Sequence, residues 1–201
     1  MIRHAESLAN KERIMASRKA FPLTEAGMTD AKLIASELEN IVTIDKIITS
    51  PLIRARQTAD CFAKVYSLEP EVDERISEQE LGKFSGMSYD EVKEHKDYET
   101  DTQKRWDWVP EGGESYRMIA DRVKSFFSDL EKEAGKENIL IVTHAVTFRL
   151  IKAVLENTLP SYPSKFPNNG EIWKVAFSGL GNIHRIESIL LGNSETFKHN
   201  P

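Results

Sequence analysis

The chain has 201 residues, 40% hydrophobic and 29% charged, which suits one sizeable globular domain with its own core better than two small ones. Its formal net charge of −5, with lysines and arginines scattered among acids, argues against a nucleic-acid footprint, so any anion site must be a local pocket. The single cysteine, Cys61, forbids an internal disulfide, and no signal-like or membrane-spanning apolar run is present, so the expected setting is a reducing cytoplasm away from membranes.

The chain opens on Met1-Ile2-Arg3-His4-Ala5-Glu6-Ser7-Leu8-Ala9-Asn10, where an Arg-His pair leaves a short apolar segment and enters a turn of small polar residues. Arginine's planar fork matches phosphate oxygens and a neutral imidazole can attack phosphorus, so the pair suits a phosphate. Residues 11–20 lack apolar periodicity and read as an exposed loop or irregular helix near the opening motif, whose charges fit a solvated face better than the entrance of a pocket. Thr24 is expected to cap a helix carrying Leu33, Ile34, Leu38 and Ile41, with Gly27 as a close-packing point in its first turns. The β-branched run over residues 45–50 stops at Pro51, as a buried strand entering a helix does. That helix, residues 52–65, brings Arg54 and Arg56 into its first turns, where cations oppose the helix dipole and a bound anion would relieve the conflict.

Residues 69–86 have the pattern of a loop, with an acidic string over 73–80 and glycines four apart at Gly82 and Gly86. Ser88 is expected to cap a short helix through Val92. In the polar segment 98–108, Trp106 and Trp108 fit satellite packing better than a substrate-facing lid. After the break at 110–115 comes a long amphipathic helix with Ile119, Val123, Phe126, Phe127 and Leu130 on its apolar face, and Gly135 helps stop it. Residues 138–144 form a nearly continuous apolar run that ends at Thr143-His144, the pattern of a strand buried on both faces of a largely parallel sheet. A helix over 146–156 starts immediately after it. Residues 172–177 and 182–186 alternate as two more strands, a hairpin at a sheet edge.

No repeat or linker divides the chain, and the strand-helix alternation predicts a single three-layer α/β/α domain over residues 1–201 with a mostly parallel central sheet. Sites in such sheets form outside the carboxyl ends of strands, where His4 and His144 both fall. Phosphoryl transfer to a protein nucleophile needs an attacking atom, positive groups around the equatorial oxygens and an acid for the leaving oxygen. His4 can attack, Arg3 and Arg54 can hold oxygens, His144 can add a donor, and Glu78 can protonate the departing alkoxide. Taken singly, each has a plainer reading: a satisfied strand-end histidine, an arginine paired with a carboxylate, one acid of a solvated loop. Glu74 and Glu80 lie close to Glu78. His95, His184 and His199 have no such context and are read as surface residues, and Cys61 as packing.

Arg3-His4-Ala5-Glu6-Ser7 with Asn10 resembles the RHG-E-S/T…N signature of the histidine phosphatase superfamily, which includes the cofactor-dependent phosphoglycerate mutases. Further blocks follow in that family's order. Pro22-Leu23-Thr24-Glu25-Ala26-Gly27 is similar to its PLTE-x-G segment, and Ser50-Pro51-Leu52-Ile53-Arg54-Ala55-Arg56-Gln57-Thr58-Ala59 to its SPL-x-RA-x-QTA segment. Ser77-Glu78-Gln79-Glu80-Leu81-Gly82 with Phe84 and Gly86 resembles the E-x-x-x-G-x-W-x-G loop, Gly112-Gly113-Glu114-Ser115 the GES turn, and Val142-Thr143-His144-Ala145 the second-histidine block. The resemblance covers residue 2 to about residue 150, and several ordered blocks are far more specific than one short motif. It implies a phosphoglycerate mutase-like fold and a phosphohistidine formed on His4. Arg3, Arg54 and His144 would complete the phosphate pocket, with Asn10 beside it and Glu78, selected by its spacing to Gly82, as the proton donor; neither metal nor cofactor is needed. Ala5 and Ala145 stand where the family usually has glycine, and Phe84-Ser85 where many members have Trp-Glu, so the leaving-group pocket is expected to differ in shape and charge.

The expected activity is hydrolysis of a small phosphomonoester. A mutase reading is weaker because residues 78–113 are short and acid-rich, with Lys104-Arg105 as the obvious basic pair. A third reading is a non-catalytic phosphate- or partner-binding module, prompted by the short start. The family precedes the Arg-His pair with several apolar residues, and here Met1 and Ile2 stand alone. Either the sequence is shortened at its start, or the first strand is a stub and the sheet beneath His4 is weakened. Substrate identity rests in the variable stretch 84–108, and both monomer and homodimer fit the sequence.

Overall fold

A computed structural model describes residues 1–133, 135 and 137–192. Six strands form one sheet: β1 (Ile2–Arg3), β2 (Lys46–Thr49), β3 (Glu71–Val72), β4 (Ile139–Thr143), β5 (Ile172–Val175) and β6 (Ile186–Leu190), in the order β3-β2-β4-β1-β5-β6. The first four are mutually parallel, and β5 pairs antiparallel with both β1 and β6. The helices are α1 (Leu8–Lys11), α2 (Glu25–Glu39), α3 (Ile53–Tyr66), α4 (Tyr89–Glu94), α5 (Tyr116–Glu133) and α6 (Ala145–Leu155).

Successive strand side chains point to opposite faces, and here they feed two separate cores. Ile2, Ile47, Leu140 and Val142 pack with Ile34, Ala35 and Leu38 of α2 and Phe62 of α3 on one face. Met1, Ile48 and Ile141 pack with Ile119, Val123, Phe127 of α5 and Phe148, Ile151 of α6 on the other. This is the three-layer, mostly parallel α/β arrangement expected. Thr24 caps α2 through its hydroxyl, which accepts the Gly27 amide at 2.9 Å. A Cβ on Gly27 would lie 2.1 Å from the Glu6 carbonyl oxygen, so α2 can approach the turn after β1 only with glycine there.

The first strand is a stub of two residues, yet it is paired on both sides: Ile2 and Arg3 align with Val142 and Thr143, and Ile2 also aligns with Ile172. Among the described residues no helix is long and apolar enough to cross a membrane.

Four expectations need correction. Residues 69–86 contain an edge strand, β3, and two single 3-10 turns as well as loop. Residues 11–20 are not simply solvated: Ser17 is buried, and its carbonyl and that of Lys19 accept hydrogen bonds from Arg54. The last strand begins at Ile186, where it was expected to end. Gly179 and Gly181 take positive φ and lengthen the turn, and residues before Ile186 fold back on α6, His184 donating its amide to the Leu155 carbonyl at 3.0 Å. His184 is accordingly buried, not a surface residue, with its ring nitrogens bonded to Leu155 O and the Ser178 amide. His95 is half-buried against the edge of Phe84, and His199 lies outside the described residues. Trp108 packs on Phe84 and Tyr98, and Cys61 is buried in the α2–α3 core, both as expected.

Candidate active site

Parallel pairing of β1 with β4 sets Arg3 against Thr143, so the next residue of each strand, His4 and His144, leaves the sheet side by side. Their ring centroids are 5.1 Å apart, and both are almost fully buried. The neighbouring strand β2 ends one residue before Ser50, whose hydroxyl lies 2.7 Å from His144 Nε2. Ser50 Oγ also accepts the Leu52 amide at 3.3 Å, and its contact with Nε2 leaves Nδ1 as the other ring nitrogen of His144. That Nδ1 is buried with no partner.

His4 is held in the complementary way. Its Nδ1 is 2.7 Å from the Ala5 carbonyl, an acceptor, so Nδ1 carries the hydrogen and Nε2 the lone pair. Arg54 Nε donates to that Nε2 at 3.2 Å. Burial, and then the Arg54 and Arg3 charges, hold the His4 pKa well below the ordinary 6.5, and burial followed by Arg54 does the same for His144. Both rings are therefore neutral at pH 7.

Arg54 stands in the first turn of α3, whose N-cap, Leu52, has no side-chain hydrogen bond. Its guanidinium is 1% exposed and fixed by the carbonyls of Ser17 at 2.7 Å and Lys19 at 3.2 Å. Burial is the main cause that lowers its pKa, to about 10, so it keeps its charge at pH 7. Arg56, two residues further and so on the opposite side of the helix, faces solvent and does not join the cluster. Arg3 donates through Nη1 to the Pro167 carbonyl, and its Nε is buried without a partner. Buried polar nitrogens without partners are rare, and two of them, Arg3 Nε and His144 Nδ1, together with Arg54 make a pocket that suits an anion's oxygens.

Glu78 is carried to this pocket by its backbone neighbours. Thr143 Oγ1 donates to the Ile76 carbonyl at 2.7 Å and Thr147 Oγ1 to that of Ser77 at 2.6 Å, pinning the loop over the start of α6. The Glu78 carboxylate then accepts the amides of Gln79 at 2.9 Å and Val146 at 3.3 Å. It is the first electrostatic partner of both Arg3 and Arg54. The competing acids are placed elsewhere: Glu80 is tied to the Ser17 and Ser85 hydroxyls and the Gly82 amide, and Glu74 is exposed. Asn10 closes the α1 capping box, its Oδ1 accepting from the Ser7 amide and hydroxyl and from Asn169 Nδ2. It thereby braces the His4 turn, since the same Asn169 amide donates to the His4 carbonyl at 3.0 Å.

Thus Arg3, His4, Arg54, Glu78 and His144 come together, with Asn10 one layer behind. Sequence reasoning missed Ser50, Asn169, Arg18, Arg122 and the role of Glu114. Glu114 receives Arg18 at 2.9 Å and Arg122 at 3.2 Å, and both arginines also donate to the Glu78 carbonyl. Ser50 and Glu114 stood inside recognised blocks, whereas Arg18, Arg122 and Asn169 carried no local signal.

Residues 1–183 match the histidine phosphatase superfamily (branch 1). Phosphoserine phosphatase 1 of Hydrogenobacter thermophilus is 34% identical over 162 residues, covering 77% of this chain and 74% of the relative. The 2,3-bisphosphoglycerate-dependent phosphoglycerate mutase 2 of Gloeobacter violaceus is 30% identical over 176 residues, covering 82% of this chain and 78% of that one. Among solved structures, a mycobacterial glucosyl-3-phosphoglycerate phosphatase in complex with VO3 superposes with a TM-score of 0.83 over 94% of this chain and 96% of its own, at 22% identity, a likeness of fold alone.

Proposed function

Since the chain belongs to the histidine phosphatase superfamily, we propose that it hydrolyses small phosphomonoesters through a phosphohistidine on His4. The observation that carries this reading is the tautomer of His4: Nδ1 is committed to the Ala5 carbonyl, so a neutral Nε2 presents its lone pair to the Arg54 guanidinium, where phosphate oxygens would sit.

In the first step the His4 Nε2 lone pair forms a bond to phosphorus as the ester P–O bond breaks. The Glu78 carboxyl gives its proton to the departing oxygen, so the alcohol leaves neutral. Arg3, Arg54 and the Nδ1–H of His144 stabilise the charge on the equatorial oxygens. In the second step the Glu78 carboxylate takes a proton from water, the water oxygen bonds to phosphorus, and the P–N bond breaks. Inorganic phosphate leaves and His4 returns to its neutral form. Arg18 and Arg122 hold the Glu78 backbone and so keep the acid in place. A reducing cytoplasm suits the free Cys61 thiol.

A mutase relative at 30% identity supports a second reading, in which the phosphoryl group returns to a bound alcohol instead of passing to water. Release of inorganic phosphate from an aryl phosphate, abolished in His4→Ala, supports hydrolysis. Interconversion of phosphoglycerates dependent on a bisphosphate, without release, would replace it by the mutase reading.

A further inference from the structure

The connection from α6 to β5 has neither helix nor strand over residues 156–171, yet its end holds the turn that carries His4. The Pro167 carbonyl accepts Arg3 Nη1, and the Gly170 amide donates to the Arg3 carbonyl at 3.1 Å. Between them stands Asn169, half-buried, whose side-chain nitrogen lies 3.0 Å from the His4 carbonyl, 3.3 Å from the Ala5 carbonyl and 3.1 Å from Asn10 Oδ1. Asn10 Oδ1 also accepts the Ser7 amide, so all three of these partners are acceptors. The Asn169 amide is therefore oriented with Nδ2 toward the turn.

Its neighbour ties this point to the sheet. Asn168 Nδ2 donates to the Leu191 carbonyl at 2.9 Å, just beyond β6, and the Asn168 amide donates to Glu171 Oε2 at 2.7 Å. Of the acceptors that Asn169 serves, the Ala5 carbonyl bears on the chemistry, because it also lies 2.7 Å from His4 Nδ1. The hydrogen bond made by one ring nitrogen decides which nitrogen carries the proton. The Ala5 amide donates to Thr58 Oγ1 at 3.1 Å, so Ala5 is gripped at one end by Thr58 and at the other by Asn169. Were its carbonyl to turn away, Nδ1 would lose its acceptor. A proton shifted to Nε2 would then face the Arg54 Nε–H, 3.2 Å away, and occupy the lone pair that attacks phosphorus.

We propose that Asn169 is a positioning residue for the nucleophile: by donating to the His4 and Ala5 carbonyls it keeps the Ala5 carbonyl aimed at His4 Nδ1, and so sets the tautomer in which Nε2 is free to attack. The inference rests on the hydrolase reading, in which His4 is the nucleophile. It adds to that reading a residue 165 positions away from His4 in the chain, acting through the main chain and without touching phosphate.

The test reads the tautomer itself, by long-range proton–nitrogen correlation spectra of the isotope-labelled protein, with the His4 signals assigned by their loss in His4→Ala. In the unaltered protein Nδ1 is expected to be the protonated nitrogen and Nε2 the bare one. Asn169→Asp keeps the shape and puts an acceptor where the donor was; Asn169→Ala, which only removes the group, serves if the aspartate variant fails to fold. Either is expected to move both His4 nitrogens toward the shifts of a mixed tautomer. Together with this, kcat for phosphate release should fall about ten- to a hundredfold, the scale of a displaced reacting group, while KM changes far less. An unchanged His4 spectrum in a folded variant, or a changed spectrum with kcat intact, would overturn the positioning role. Failure of the hydrolase reading appears separately, as undiminished phosphate release by His4→Ala.

Discussion

Ser50 Oγ lies 2.7 Å from His144 Nε2, and this contact leaves Nδ1 as the ring nitrogen of the second histidine that has no partner. Ser50→Ala removes the anchor and leaves Nε2 buried without a partner. We expect kcat for phosphate release to fall about ten- to a hundredfold, the size of effect a misplaced catalytic group produces, and stability to fall by about 1–3 kcal/mol for the buried nitrogen left unpartnered. Ser50→Thr keeps the hydroxyl and should recover part of the loss. An unaltered kcat in Ser50→Ala would show that the serine does not position His144.

Arg54 serves two purposes, and its variants should separate them. Its Nη groups hold the Ser17 and Lys19 carbonyls and its Nε faces His4. Arg54→Met leaves two carbonyls short of donors and is expected to lower stability by roughly 2–6 kcal/mol, from about 1–3 kcal/mol per buried unsatisfied group. Arg54→Lys retains charge but not the fork, so it should remain inactive while recovering little stability. Denaturant unfolding alongside phosphate-release kinetics checks both.

The histidine pair makes stability depend on pH in a definite direction. Burial holds the folded-state pKa of His4 and His144 well below 6.5, whereas in the unfolded chain each titrates near that value. Below about pH 6.5 the unfolded state therefore binds more protons, and unfolding free energy falls as the medium is acidified. Two such groups set a limiting slope of about 2.7 kcal/mol per pH unit; above that pH they contribute no slope. Replacing His144 by Gln should remove up to half of the decline between pH 6.5 and 5. An identical pH dependence in that variant would contradict neutral burial of His144.

Glu114 joins Arg18 and Arg122 beneath the Glu78 loop. Glu114→Gln weakens both ion pairs and is expected to reduce kcat more than it raises KM, because the loop it steadies carries the acid and not the phosphate ligands. Measured kcat and KM on one aryl phosphate decide this.

Much of the frame was readable because its causes are local. The apolar run ending at His144 announced a central strand, Thr24 announced the start of α2, and ordered blocks brought Arg3, His4, Arg54 and His144 into one site. Glu78 could be told from Glu74 and Glu80 only by spacing to Gly82, since its distinguishing contact, the Val146 amide, lies 68 residues away in the chain. Arg18, Arg122 and Asn169 escaped notice for the same reason. The strand after Gly181 was misplaced because residues 182–186 alternate as a strand does, yet the backbone there bonds to the end of α6 and pairing with β5 starts only at Ile186.

The central claim is that phosphate passes through His4, and trapping tests it most directly. In Glu78→Gln an aryl phosphate, whose leaving group needs no proton, should still load the enzyme, while the water step slows for want of a base. Brief incubation, alkaline quenching and peptide mass spectrometry should then find acid-labile phosphate on the peptide containing His4, and none in the His4→Ala protein. Sustained phosphate release by His4→Ala at the rate of the unaltered protein would contradict the mechanism.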